Sequence, residues 1–169
     1  MNNQSMDNLL IEWQCQKLVT RSINLLDQGR WQELANCYTE EGELYRPSAP
    51  TVKIAGRDAI LASFTARPAK ETCHALTNME ANIINDYSVI VTSRVVLFSS
   101  GKKSADKKSS DKKSANKKVD DIESMVQANG DIFIGRFVDE LKKIKGEWLI
   151  AKRKGSIELH YTGSSDKTG

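Results

Sequence analysis

Thr72-Cys73-His74-Ala75-Leu76-Thr77-Asn78 opens the first long strand pattern of the chain and carries the only histidine in the body of the protein. Between residues 73 and 84, alternation puts His74, Leu76, Asn78, Glu80 and Asn82 on one face of an extended strand. Cys73, Ala75, Thr77, Met79, Ala81 and Ile83 fall on the other. One face is therefore small and apolar and the other mixed. An imidazole titrates close to neutral pH, so His74 is the first candidate for the chemical group of a pocket; its plainer role is that of a structural residue in a sheet.

Downstream of this strand, Tyr87 to Phe98, Asp131 to Ile144 and Glu147 to Leu159 are rich in Val, Ile, Phe or Trp and read as long strands. Lys145-Gly146 is a tight turn that makes the last two antiparallel neighbours. Upstream, Ile11, Cys15, Leu18, Val19, Ser22, Ile23 and Leu26 recur at helical spacing and predict a long amphipathic helix from Asn8 to Asp27. Gly29 closes it, leaving Asp27 at a corner where it either caps a turn or faces a pocket between helix and sheet. Trp31 to Cys37 reads as a second, short helix. Glu40-Glu41-Gly42 reads as a turn, Glu43 to Arg46 as a short strand stopped by Pro47, and Ser48 to Lys53 as loop. A third helix starts at Gly56-Arg57-Asp58 and ends at Arg67-Pro68. Helices followed by long antiparallel strands predict an α+β fold whose helices cover one face of a strongly curved sheet.

The 169 residues, 39% of them hydrophobic, suit a single domain with one core. Cys15, Cys37 and Cys73 form no CxxC spacing and are odd in number, which argues for a reducing, cytoplasmic setting. The first residues lack the pattern of a signal peptide, and no apolar run approaches the roughly 18 residues of a membrane span, so no membrane contact is expected. The net charge of +3 is local in origin. Residues 102 to 118 hold eight lysines and two aspartates, and the remaining 17 basic and 20 acidic groups leave the body of the chain at −3.

That basic segment repeats a five-residue unit, Lys102-Lys103-Ser104-Ala105-Asp106 through Lys117-Lys118-Val119-Asp120-Asp121. A period of five matches neither helix nor strand, and nothing apolar is available to offset the entropy of ordering. The region of about 101–121 therefore reads as a disordered insert in a hairpin, expanded where a longer loop is tolerated. Clustered lysines can contact nucleic acid or another polyanion, but no aromatic residue is interleaved to stack on bases, and the tolerated-loop reading is preferred. Deleting Lys102 to Lys118 should leave the melting temperature within a few degrees of the parent.

Several chemistries lack their sequence signatures. There is no GxGxxG after a strand, no Walker-type loop and no GxSxG elbow, and the two histidines stand far apart with no ligand spacing. Neither a nucleotide cofactor nor a metal is expected.

The order of Leu26-Asp27-Gln28-Gly29-Arg30-Trp31, Tyr38-Thr39-Glu40-Glu41-Gly42-Glu43-Leu44-Tyr45-Arg46-Pro47, Gly56-Arg57-Asp58-Ala59-Ile60, Cys73-His74-Ala75, and Gly135-Arg136-Phe137 with Gly146-Glu147-Trp148 resembles the SnoaL-like branch of the NTF2-like superfamily. The resemblance covers the chain apart from the insert and both tails. It implies a conical α+β barrel, a curved sheet wrapped around the long helix with a deep apolar pocket at its wide end, commonly in a dimer. Scytalone dehydratase-like members use an aspartate after the first helix, a tyrosine on the first strand and two histidines. Asp27, Tyr45 and His74 stand at similar positions, while the second histidine has no counterpart before His160.

The resemblance thus implies a single-imidazole proton transfer, with His74 as base or acid, Asp27 orienting it and Tyr45 donating a hydrogen bond to a substrate oxygen. Asn78, Trp31 and Arg136 are the candidate substrate contacts. The expected protein is a small cofactor-free lyase or isomerase acting on an apolar carbonyl or polyketide-like metabolite. The alternative is a non-catalytic binding or scaffold protein of the same fold, including a ring-hydroxylating dioxygenase β-like subunit. Apolar residues on both faces of the strand from Tyr87 to Phe98 predict a homodimer through the outer sheet face, which a monomeric mass by light scattering would contradict.

Overall fold

The computed structural model describes residues 3–67, 71–100 and 130–162. The lysine repeat and the insert of about 101–121 lie outside the described residues. In chain order the elements are α1 (Asn3–Asp27), α2 (Trp31–Asn36), β1 (Tyr38–Arg46), β2 (Ala49–Ala55), α3 (Arg57–Thr65), β3 (Thr72–Asn85), β4 (Ser88–Ser99), β5 (Ile132–Ile144) and β6 (Glu147–Tyr161). The six strands form one curved sheet in the order β2-β1-β6-β5-β4-β3. All neighbours are antiparallel except β1 and β6, which run parallel.

The apolar stripe of α1 lies on the inner face of this sheet. Cys15, Val19 and Ile23 are buried, with Cys15 and Val19 packed among Val89, Val91, Leu141 and Trp148. A second cluster joins Leu25, Leu34, Tyr38, Leu44, Ile60, Phe64 and Ile150, and so fixes α2 and α3 against β1 and β6. The end of α1 follows from Gly29, whose φ of 69° is left-handed. The Arg30 amide donates to Leu25 O at 3.0 Å and the Gly29 amide to Leu26 O at 3.2 Å, the paired closure of a Schellman motif. Between β5 and β6 the chain reverses over Lys145 and Gly146, both at positive φ, as a two-residue hairpin requires.

Two sequence expectations fail in the region of β1 and β2. Glu40-Glu41-Gly42 is part of β1, and residues 49–55 form the edge strand β2, in register with β1 from Glu43↔Ala55 to Tyr45↔Lys53. The stop at Pro47 suggested a loop over Ser48 to Lys53, but β2 contains Pro50, because an edge strand needs only one row of ladder hydrogen bonds and tolerates proline. Glycine and paired glutamates suggested a turn; Gly42 instead lets β1 pass close to itself, because a Cβ there would stand 3.0 Å from Thr39 O.

Strand register shifts at several places, and three of these breaks, in β3 and β6, bear on the site. In β3 the pairing with β4 slips between Thr77 and Glu80, with Asn78 at a φ of 49°. This bulge inverts the parity, so His74 and Leu76 share the inner face with Met79, Ala81 and Ile83, while Asn78 is exposed. The two continuous faces expected from strict alternation are therefore each cut in half. In β6, a slip between the Glu140↔Lys152 and Leu141↔Ile150 pairs leaves both Ile150 and Arg153 buried. A third slip, where Ile134 faces Leu159 and Gly135 faces Ile157, leaves Glu158 as the extra residue.

Gly135 is required at that last bulge. A Cβ at this position would lie 1.9 Å from the Ser156 carbonyl oxygen, a backbone atom that cannot swing away. Gly135→Ala should therefore displace β6 and cost about 1–3 kcal/mol or more. Urea denaturation checks this, and an unchanged midpoint would show that the bulge relaxes freely.

Candidate active site

The site begins at the last residue of α1. A carboxylate in a helix's final turn opposes the helix dipole and needs compensating donors. Asp27 receives three from β3: Thr72 Oγ1 at 2.8 Å and His74 Nδ1 at 2.6 Å on its Oδ1, and the His74 amide at 2.8 Å on its Oδ2. With Asp27 ionised and already accepting the other two, Nδ1 must carry its proton. The unprotonated nitrogen of His74 is then Nε2. The side chains of His74 and Asp27 are 9% and 20% exposed, so the pair is shielded but reachable.

His74 forms part of the wall of a cavity of about 240 Å³ between α1, α3 and the inner sheet face. Most of the wall is hydrocarbon, from residues such as Ile23, Leu26, Leu44, Val95, Phe133 and Phe137. Tyr38, Arg46, Arg67 and Arg153 are its larger polar residues at other points.

Arg153 is held through two of its three guanidinium nitrogens. Its Nε donates to Asp139 Oδ1 at 2.6 Å, and its Nη2 to Asp139 Oδ2 at 3.0 Å and Ser22 Oγ at 2.9 Å. Both members of the pair are buried, and the guanidinium lies 5.2 Å from the centre of the Phe137 ring. Burial works against its charge, but the adjacent Asp139 carboxylate overrides this and holds Arg153 above its ordinary range. Tyr38 is 1% exposed; burial pushes its hydroxyl up to about 12, against the pull of the neighbouring Arg153. At neutral pH Tyr38 is thus a proton-bearing phenol.

Of the six residues singled out in the sequence, Asp27 and His74 are brought together. Tyr45 is not with them: its hydroxyl donates to Glu43 Oε2 at 3.1 Å and Lys154 Nζ lies 5.4 Å from its ring centre, away from the cavity wall. Strand parity is the reason, because Leu44 and Arg46 on either side of it face inward. The tyrosine of the cavity is Tyr38, which lies beyond a register shift in β1 and lines the wall together with Leu44. Trp31 stands behind the wall, stacked on Phe64 at 5.7 Å. Asn78 is exposed on the β3 bulge, and Arg136 lies on the outer face, its Nε 3.7 Å from Glu158 Oε1. None of Tyr45, Trp31, Asn78 and Arg136 lines the cavity.

Asp139 and Arg153 were not anticipated. Asp139 sits between the inward Phe137 and Leu141 at the right parity, which is a usable signal. Arg153 gives none, since alternation from Ile150 points Lys152 inward and only the bulge in β6 reverses it.

Known structures share this architecture at low sequence identity. A putative scytalone dehydratase from Novosphingobium aromaticivorans superposes with a TM-score of 0.71 at 18% identity, over 93% of this chain and 90% of that one. A type 2 hexachlorocyclohexane dehydrochlorinase (LinA) gives 0.74 at 14% identity, over 98% and 97%. A putative calcium/calmodulin-dependent protein kinase II association domain from Xanthomonas campestris gives 0.62 at 16%, over 83% of each. No curated protein matches the sequence. The model of the SnoaL-like domain matches residues 7–154, and together with the helix-and-curved-sheet architecture this places the chain in the SnoaL-like family of the NTF2-like fold.

Proposed function

We propose that the protein is a lyase or isomerase that moves a proton to or from carbon in an apolar carbonyl compound, with His74 as the base. The observation that carries this reading is the 2.6 Å contact of Asp27 Oδ1 with His74 Nδ1 at the wall of a largely hydrocarbon cavity. That contact orients the ring, leaves Nε2 as the acceptor and stabilises the imidazolium formed when a substrate proton arrives. Charge developing on the substrate oxygen is met by Tyr38 and Arg153, donors buried beforehand and therefore costing little reorganisation. The similarity in fold to a putative scytalone dehydratase and to a dehydrochlorinase supports the class of chemistry.

The test is proton exchange in D2O followed by NMR, on a panel of enolisable aryl ketones and polyketide-like diketones. Deuterium should enter the carbon next to the carbonyl with the parent protein and not with His74→Ala. Exchange no faster than with His74→Ala across the panel would favour a non-catalytic binding protein.

A further inference from the structure

Two of the cavity's cations have no counter-charge. Arg46 and Arg67 both line it, and among the described residues neither is paired with a carboxylate, whereas Arg153 is matched by Asp139. Arg46 donates from Nη2 to the carbonyl of Ser63, which ties β1 to the last turn of α3. Its Nε, however, is buried without a hydrogen-bond partner. Such an orphan N–H is costly, and the cost falls away when an acceptor enters. Arg67 follows α3 directly. The two guanidinium carbons lie 5.4 and 5.3 Å from the centre of the same Phe64 ring, so both groups gather at one part of the wall. Burial holds each below the ordinary arginine range, and for Arg67 the nearby charge of Arg46 adds to this, as expected of two like charges awaiting an anion.

We propose that Arg46 and Arg67 form a carboxylate-binding site, so that the cavity's ligand is an apolar acid whose hydrocarbon body fills the space toward Val95 and Phe137. A carboxylate fits better than a phosphate, because the planar guanidinium fork matches two coplanar oxygens and the remaining wall offers little to solvate a dianion. Ser48 and Ser156 also border the cavity. The carboxylate anchors one end of the molecule, so that the same bound pose is presented to His74 each time. The inference deepens the proposed function by naming the substrate class, and it depends on that reading only in using the same cavity.

Alkanoates and ω-phenylalkanoates of six to ten carbons are to be titrated into the whole protein, each beside its primary amide, by calorimetry and by NMR of the arginine Nε–Hε signals. The acids should bind about tenfold or more tightly than their amides. Only the acids should move the Arg46 Nε–Hε signal, and Arg67→Gln and Arg46→Gln should each erase the preference. His74→Ala should keep it. Acids and amides that bind equally, an unmoved Arg46 signal, or a preference that survives both substitutions would overturn the site. Should Arg46→Gln fail to fold, Arg67→Gln and the parent's Arg46 signal still decide. An acid preference without proton exchange on any compound would defeat only the catalytic reading; exchange on neutral ketones with no acid preference would defeat only this one.

Discussion

Replacing His74 by alanine is expected to lower any proton-transfer turnover by about 10²–10⁴-fold, the range that a positioned acid-base group contributes. Binding of a non-reacting ligand should change little, because the rest of the cavity wall is intact. Asp27→Asn is the more informative partner. The carboxylate accepts Thr72 Oγ1–H, the His74 amide and His74 Nδ1–H with its two oxygens. An asparagine has one acceptor oxygen and an NH2 group that must face a proton acceptor. If the NH2 faces Nδ1, the ring is driven to the other tautomer, with its proton on Nε2 and no lone pair there to accept a substrate proton. Turnover should then fall nearly as far as in His74→Ala, although the imidazole remains. Steady-state kinetics on the substrate found by exchange, with ¹⁵N NMR of the ring for the tautomer, would check this. An Asp27→Asn protein with full activity would show that Asp27 serves only to tie α1 to β3.

The largest stability effect is expected at Arg153. Removing it as Arg153→Met leaves the Asp139 carboxylate, 0% exposed, without its two guanidinium hydrogen bonds, and should cost about 3–5 kcal/mol in urea unfolding at neutral pH. The deficit should depend on pH in a defined direction. Burial already pushes the Asp139 carboxyl upward and Arg153 is what opposes it, so the variant's native state will hold a proton that its unfolded chain has released. A native pKa raised above the unfolded value means stability lost as pH rises. The deficit should therefore shrink as pH is lowered from 7 toward about 4, where the unfolded carboxyl is protonated too. The double variant Asp139→Leu/Arg153→Met should recover much of the loss, since a buried ion pair and an apolar pair of similar volume are often close in stability. A pH-independent deficit, or a double variant no better than the single one, would mean that Asp139 is solvated or otherwise paired.

The elements that set the architecture depend on local rules and were legible in the sequence. The 3.6-residue stripe from Ile11 to Leu26 requires a helix with one buried face, Gly29 permits its left-handed closure, and long Val- and Ile-rich runs joined at Lys145-Gly146 require antiparallel strands. Asp27 and His74 were legible as candidates because one ends the helix and the other starts the strand laid across it. The remainder of the site was decided by bulges and strand parity. A single slipped residue reverses every side chain beyond it, so the bulge at Asn78 sent that residue outward and the one before Lys152 turned Arg153 into the cavity. Tyr45 was placed by its resemblance to a motif position, yet its neighbours Leu44 and Arg46 already hold the inner face, and Tyr38 shares it. Which polar groups converge depends on where each ladder slips, and a slip is fixed by the fit of neighbouring strands, as where Gly135 meets the carbonyl of Ser156. No residue carries that information alone; it resides in the pairing.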